Sequence, residues 1–314
     1  MPRPVKDGSL RVGDRTVQVS SVAKPFFRDA GLTKGDLLAY YRDVAETMLP
    51  HLRDRPLNLQ RFPNGVDGKG FWQQGVGDHF PGWVRTVTVE RRGRGGTVDH
   101  VVCEDAATIV YLANLATVTF HAWTSTVGHL ARPDLVIVDL DPDPGQGLEV
   151  VRAAARAVRA ACDELGLASF VQTSGSKGYH VVVPLQPGPD VEVVRDFAAE
   201  LAALVAARDP GRLTVEWRKE KRHGRLLLDT ARNGYAQTIV APYSVRPRPE
   251  APVATPIDWS ELGRVEPRTY TMANLRRRLA RKPDPWAGMA AQAVAFDPVR
   301  ARLDELLAEV GRRS

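Results

Sequence analysis

The chain has 314 residues, of which 43% are hydrophobic and 25% charged, as in an ordinary globular protein. No stretch approaches the ~20 consecutive apolar residues of a membrane-spanning helix, and the N-terminal residues lack the apolar core of a signal peptide. The net charge of +6 favours polyanionic partners, and two isolated cysteines in apolar settings indicate buried thiols. We therefore expect a cytoplasmic protein without a membrane partner.

The first helix is expected to begin at Thr33, because Thr33 and Asp36 have the spacing of a capping box. Apolar residues follow at helical intervals from Leu37 onward. Lys24 and Lys34 flank this helix start, where free backbone N–H groups favour anions. A phosphate site is one interpretation of the two lysines, and ordinary surface residues are the other.

Strands are expected at residues 56–62, 83–90 and 98–103. Between the first two, Phe71 and Trp72 adjoin a Gly-rich loop, and they fit either a core or a base-stacking surface. The pattern alone favours the core. Residues 91–96 read as a basic hairpin tip that suits phosphate-backbone contact or simple solvation; its arginines are Arg91, Arg92 and Arg94.

A helix over 105–116 and a strand over 117–125 follow, and the strand carries His121, which is typical of a packed side chain. The next strand, 135–141, ends in Asp139 and Asp141, and alternation places these two carboxylates on one face. Carboxylates side by side repel unless a cation lies between them, and such ligands suit Mg²⁺ or Mn²⁺. An acidic turn after a strand is the alternative.

A helix over 148–165 leads to two strands, 169–173 and 179–185, that enclose the segment Ser174-Gly-Ser-Lys177-Gly-Tyr-His180. Its glycines, hydroxyls and lysine suit phosphate oxygens. It is not a Walker A loop, because the sequence returns to a strand and not to a helix. A Gly-rich hairpin without a ligand fits equally well.

A helix over 191–207 and a strand over 213–217 precede a second basic turn, 218–225, with Lys221, Arg222 and Arg225. The following strand ends at Asp229, which would complete a carboxylate triad. Arg246 then follows in Ala-Pro-Tyr-Ser-Val-Arg. Further helices are expected around 272–281 and 296–310. We expect one domain over residues 1–290 and a packed helical tail over 291–314.

Together these motifs resemble the polymerase domain of bacterial ligase D, a branch of the archaeo-eukaryotic primase superfamily. The resemblance rests on Asp139-x-Asp141, on Ser174 with His180, and on Asp229, in that order, and it spans roughly residues 20–285. It implies an α/β (α+β) primase-polymerase fold. In that fold two mixed, largely antiparallel sheets with flanking helices form a catalytic cleft.

The resemblance also implies residue roles. Asp139, Asp141 and Asp229 would bind two divalent cations, with Mn²⁺ preferred and Mg²⁺ as the alternative. The remaining roles by similarity are nucleotide binding by His121, Ser174, Lys177, His180 and Arg246, binding of a DNA 5′-phosphate by Lys24 and Lys34, template stacking by Phe71 and Trp72, and DNA-backbone contact by Arg91, Arg92, Arg94, Lys221, Arg222 and Arg225. The family commonly has two glycines after the serine, where this chain has Gly175 and Ser176. We expect this change to be tolerated.

The implied function is template-directed addition of nucleotides at short gaps or broken ends of DNA, with NTPs preferred over dNTPs. No nucleotidyl-lysine motif of a ligase is visible, so we expect a stand-alone enzyme near the bacterial nucleoid. Its partners would be DNA with a 5′-phosphate, a separate DNA ligase and Ku.

Three other functions are alternatives. A de novo primase would use the same triad, but the lysine pair favours gap filling. A non-catalytic module that aligns DNA ends would not need three carboxylates. A phosphatase of the haloacid dehalogenase type would usually have Thr or Val at the position of Asp143.

Overall fold

The computed structural model describes residues 4–93 and 95–312, and the chain divides into two compact units. Unit 1 comprises the chain up to Trp123 with residues 240–255 and 269–283, and unit 2 comprises residues 124–239, 256–268 and the chain from Asp284. The expected boundary at residue 290 stays a prediction. Within the described ranges, no helix is long and apolar enough to cross a membrane.

Short strands make up most of the regular elements, and the longest helices separate groups of them. In chain order the strands are β1 Gly8–Val12, β2 Arg15–Val19, β3 Pro25–Phe27, β4 Leu32–Thr33, β5 Pro56–Arg61, β6 Phe71–Gln73, β7 Thr86–Glu90, β8 Thr97–Val102, β9 Thr117–Trp123, β10 Leu135–Asp141, β11 Phe170–Thr173, β12 Tyr179–Pro184, β13 Leu213–Thr214, β14 Leu226–Asp229, β15 Thr238–Val240 and β16 Thr255–Ile257. The helices are α1 Lys34–Leu52, α2 Ala106–Asn114, α3 Leu148–Glu164, α4 Val191–Arg208, α5 Lys219–Arg222, α6 Leu275–Leu279 and α7 Phe296–Gly311.

Unit 1 is built on a sheet with the strand order β15-β9-β5-β8-β7, and β6 pairs with β5. The capping box at α1 is confirmed: the Thr33 hydroxyl accepts from the Asp36 N–H, and the Asp36 carboxylate accepts from the Thr33 N–H. The helix buries Leu37, Tyr41 and Met48 in the core, as its spacing predicts. The basic segment 91–96 connects β7 and β8 of an antiparallel hairpin, also as expected.

Unit 2 is built on a sheet with the strand order β13-β14-β10-β12-β11-β16. The β10 strand lies between β14 and β12 and is antiparallel to both. Residues Val136–Val138 of β10 are fully buried, because helices α3 and α4 pack on this sheet. Helix α7 packs on α4, where the rings of Phe197 and Phe296 meet edge to face at 5.3 Å.

Several segments differ from the expectation, among them the strand expected over 83–90, which begins at Thr86. Strand β13 ends at Thr214, although residues 213–217 were expected to be a strand, and residues 215–217 continue without a strand assignment. The expected turn 218–225 contains the short helix α5. Hairpin β1–β2 was not anticipated.

A buried asparagine extends the hydrogen bonding of β10 beyond the end of β14. The Asn233 side chain accepts from the Ile137 N–H at 2.8 Å and donates to the Ile137 carbonyl at 2.8 Å. Its second donor bond goes to the Thr230 carbonyl at 2.7 Å. Because Asn233 is fully buried, no water satisfies these backbone groups if the amide is removed. Asn233 therefore joins the turn after Asp229 to β10.

We predict that Asn233→Ala lowers the free energy of unfolding by about 2–4 kcal/mol, because it leaves buried backbone groups without partners. Asn114→Ala is the matched control. Its half-buried amide also bonds two backbone groups, of Ser20 and Gln18, but these bonds are exposed, so water can replace them. Urea unfolding of both variants checks the prediction, and an equal loss in the two would contradict it.

Candidate active site

Three carboxylates lie on one face of the unit 2 sheet. Asp139 of β10 is directly opposite Asp229 of β14 in the antiparallel register, which places their Cβ atoms about 5 Å apart. Asp141 lies two residues further along β10, so alternation puts it on the same face. Strand pairing thus brings together residues 90 positions apart in the sequence.

The negative charges of these carboxylates repel one another. Burial raises the pKa of Asp229, and the negative charges of Asp139 and Asp141 raise it further. The Ala231 N–H, which donates to Asp229 at 2.8 Å, partly offsets this increase. A cation between the carboxylates would favour their ionised forms.

Arg222 neutralises one of the three carboxylates. Its side chain is 4% exposed, and its Nη1 donates to Oδ2 of Asp141 at 3.1 Å. The same guanidinium donates through Nε to the Glu216 carbonyl and through Nη2 to the Trp217 carbonyl, both at 3.1 Å. Arg222, for which we predict DNA-backbone contact, is thus buried against Asp141 in this structure, and the contact stays a prediction. No local pattern indicates this pair, whose members are 81 positions apart.

His180 lies beside Asp139 on the other side of β10. Residues Asp139 and His180 are directly opposite in the β10–β12 register, and Nε2 of His180 lies 3.4 Å from Oδ1 of Asp139. The Gln172 amide nitrogen lies 3.0 Å from Nδ1 of His180. When Gln172 donates to Nδ1, the ring proton is on Nε2 and faces Asp139. Gln172, which the sequence analysis missed, thereby orients the histidine.

The turn between β11 and β12 is shaped by Ser174. Its hydroxyl oxygen accepts from the N–H groups of Ser176 at 3.1 Å and Gly178 at 3.2 Å. With both lone pairs occupied, the hydroxyl retains its proton for donation, which suits an anionic oxygen. Position 178 requires glycine because the backbone passes close to β10: a Cβ there would lie 2.1 Å from the Leu140 carbonyl oxygen. Lys177 is exposed at the tip of the turn.

The donors on this face fit a divalent cation by their chemistry, since Mg²⁺ and Mn²⁺ prefer carboxylate oxygens. Among the described residues, no three His, Cys, Asp or Glu side chains are already arranged as a set of metal ligands. In this structure Asp141 pairs with Arg222, and Asp139 lies near His180. The three carboxylates are therefore on one face without converging on a single point.

In unit 1 the structure brings Lys24 and Lys34 together. The Lys34 N–H donates to the Lys24 carbonyl at 2.8 Å beside the β3–β4 pair. Nζ of Lys34 donates to the Ser20 carbonyl, and Nζ of Lys24 donates to the Pro63 carbonyl. Burial lowers the pKa of Lys34; the charge of Asp7 opposes this, and that of Lys24 adds to it. Lys34 is buried and Lys24 half-buried, and an anion near the two ammonium groups would offset their mutual repulsion.

Phe71 and Trp72 are on the surface of unit 1, 44% and 52% exposed. The core position that the apolar pattern favoured is therefore wrong. The Trp72 ring meets the His121 ring edge to face at 4.7 Å, so these two predicted site residues are in contact. The Arg61 guanidinium lies over the Phe71 ring at 5.3 Å. This exposed aromatic pair has the accessibility that base stacking requires.

The other predicted residues are dispersed. Arg246 is half-buried in unit 1, where its charge lowers the pKa of Tyr41 against the larger increase from burial. Arg91 and Arg92 are exposed in the β7–β8 hairpin, and Arg94 lies outside the described residues. Lys221 is exposed in α5, whereas Arg225 donates to the backbone carbonyls of Lys221 and Arg222.

Comparison with known proteins identifies the family of the chain. A family model described as the LigD primase-polymerase domain matches residues 33–286. The multifunctional non-homologous end joining DNA repair protein LigD of Mycobacterium tuberculosis is 31% identical over 292 residues, which are 90% of this chain and 38% of that protein. The bifunctional LigD of Bacillus subtilis is 28% identical over 296 residues, which are 94% of this chain and 46% of that protein.

A solved structure gives the same result for the fold. The polymerase domain of Mycobacterium tuberculosis ligase D in complex with DNA has a TM-score of 0.82 and 30% identity, covering 88% of this chain and 99% of that one. The chain spans less than half the length of the curated relatives that it matches. The expected α/β fold with two main, largely antiparallel sheets is confirmed. The chain belongs to the LigD primase-polymerase domain family.

Proposed function

We propose that this chain is a template-directed nucleotidyltransferase that fills short gaps or extends broken ends of DNA during end-joining repair, with a preference for ribonucleotides. The observation that carries the proposal is the placement of Asp139, Asp141 and Asp229 on one face, beside the turn from Ser174 to His180. The polymerase family to which the chain belongs supports the reaction class.

Asp139, Asp141 and Asp229 would hold two divalent cations, Mn²⁺ by preference or Mg²⁺. Bound there, the cations would lower the pKa of an attacking 3′-hydroxyl and stabilise negative charge in the in-line transition state. Until a cation binds, Arg222 neutralises Asp141, and its bonds to two backbone carbonyls fix its position. The carboxylate is thereby stabilised without a metal.

The nucleotide would bind through groups that donate to phosphate. In unit 2, Ser174 has a hydroxyl proton to donate, Lys177 is exposed, and His180 is oriented by Gln172. On the family resemblance we assign nucleotide contacts to His121 and Arg246 of unit 1 as well.

DNA would bind through unit 1 and the basic loops. Lys24 and Lys34 would bind the 5′-phosphate at the far side of a gap, and the exposed Phe71 and Trp72 would stack on a template base. The exposed cations of the two basic loops would contact the DNA backbone, and these are Arg91, Arg92 and Lys221. We propose a separate DNA ligase and Ku as partners, in keeping with the end-joining function that the relatives are named for.

We predict that Asp139→Ala and Asp229→Ala each lower nucleotide incorporation at least 10³-fold, because metal-ion catalysis contributes several kcal/mol to the transition state. The measurement is primer extension on a 5′-phosphorylated gapped DNA with Mn²⁺, with NTPs compared with dNTPs. NTPs should be incorporated faster.

Asp143→Asn is the control, since Asp143 is close in sequence but lies beyond the end of β10. It should retain activity. Full activity in Asp139→Ala would contradict the assignment of the triad, and DNA binding without incorporation in the wild type would contradict polymerase function.

A second prediction concerns the lysine pair. Lys24→Ala should reduce the preference for a 5′-phosphorylated gap over a 5′-hydroxyl gap by about tenfold, the effect of a lost charge-assisted hydrogen bond. Arg11→Ala, which removes an exposed cation from β1 of the same unit, should leave the preference unchanged. An unaltered preference in Lys24→Ala would refute the 5′-phosphate site.

A further inference from the structure

An exposed tryptophan in unit 2 has no role in the proposed function. Trp217 is 57% exposed, more than either Phe71 or Trp72, which already have a proposed ligand. Val215, two residues earlier, is 44% exposed. An exposed indole has a flat apolar face and a polar N–H edge, so it suits a flat, partly polar partner.

The backbone of Trp217 is fixed relative to the carboxylate triad. Its carbonyl oxygen accepts from Nη2 of Arg222, and Oδ2 of Asp141 accepts from Nη1 of the same guanidinium, each at 3.1 Å. Because both atoms bond one planar group, the Trp217 oxygen lies no more than about 9 Å from Oδ2 of Asp141. The bond uses the main chain of Trp217, so the ring remains available to a ligand.

The segment around this ring is basic. From Val215 to Arg225 inclusive, the sequence has five Lys or Arg residues and two Glu residues. Arg218, Lys219 and Lys221 are exposed. A Glu216 carboxylate oxygen accepts from the Arg218 N–H. An exposed aromatic ring among cations is the combination that binds single-stranded nucleic acid, where the ring stacks on a base and the cations contact phosphates.

The order of the β-strands indicates which nucleic-acid strand the Trp217 ring would contact. The turn proposed to bind the triphosphate adjoins β12, on one side of β10, whereas Trp217 follows β13, on the side of β14. In-line phosphoryl transfer requires the attacking hydroxyl and the leaving group on opposite sides of the reacting phosphorus. With the triphosphate at that turn, the DNA strand that carries the 3′-hydroxyl would approach from the side of Trp217.

We propose that Trp217 is a stacking platform for the 3′-terminal bases of the strand being extended. Stacked bases are spaced about 3.4 Å apart along one strand, so the carbonyl oxygen of Trp217 lies within about three base spacings of Oδ2 of Asp141. The assignment of the ligand as the strand being extended rests on the proposed polymerase function. Stacking on the ring itself requires no turnover, because it depends only on an exposed indole among cations.

The test compares Trp217→Ala, Trp217→Phe and a matched control, Val193→Ala, which trims another exposed apolar side chain of unit 2. The probe is a short single strand with 2-aminopurine at its 3′ end or five nucleotides inward, added to metal-free protein. Fluorescence of the 3′-terminal probe should fall on binding to the wild type. The dissociation constant should rise about 5- to 100-fold in Trp217→Ala, the range for one lost base stack, and little in Trp217→Phe or Val193→Ala.

Steady-state kinetics of primer extension are the second part of the test. Trp217→Ala should raise the KM for the primer and leave the KM for the nucleotide unchanged. Unchanged primer binding in Trp217→Ala, or a rise confined to the nucleotide KM, would overturn the proposal. The wild-type protein could also incorporate no nucleotide and still quench the probe in a way that depends on Trp217. That result would refute the polymerase function but support the stacking site.

Discussion

The repulsion among Asp139, Asp141 and Asp229 is the constraint on which the rest of unit 2 depends. The antiparallel register of β10 with β14 places two of these carboxylates directly opposite each other. Burial and the neighbouring charges raise the pKa of Asp229, which means that ionised Asp229 destabilises the folded protein. The fold tolerates this arrangement because other groups hold the strands and neutralise part of the charge.

Two side chains provide that compensation. Asn233 bonds both backbone groups of Ile137, so the turn after Asp229 stays attached to β10. Arg222 pairs with Asp141 and is itself held by two carbonyls. Under the proposed function, stability and catalysis are opposed, since the charges that raise the pKa of Asp229 are those that a divalent cation would bind.

Local patterns predicted much of the fold and little of the pairing inside the site. The capping box of Thr33 and Asp36 and the apolar run before Asp139 depend on residues close in sequence, so both were predictable. The Arg222–Asp141 pair depends on which strands become neighbours, and periodicity does not contain that information. Phe71 and Trp72 show a second limit: an aromatic pair has the same pattern whether it is buried or exposed to a ligand.

The central claim is that the three carboxylates bind divalent metal together with a nucleotide. The most direct measurement is a titration with Mn²⁺, followed by electron paramagnetic resonance, in the presence of a non-hydrolysable NTP analogue. We expect two bound Mn²⁺ ions per wild-type chain and at least one fewer in Asp229→Asn. An equal number of ions in wild type and Asp229→Asn, or no binding to the wild type, would contradict the claim.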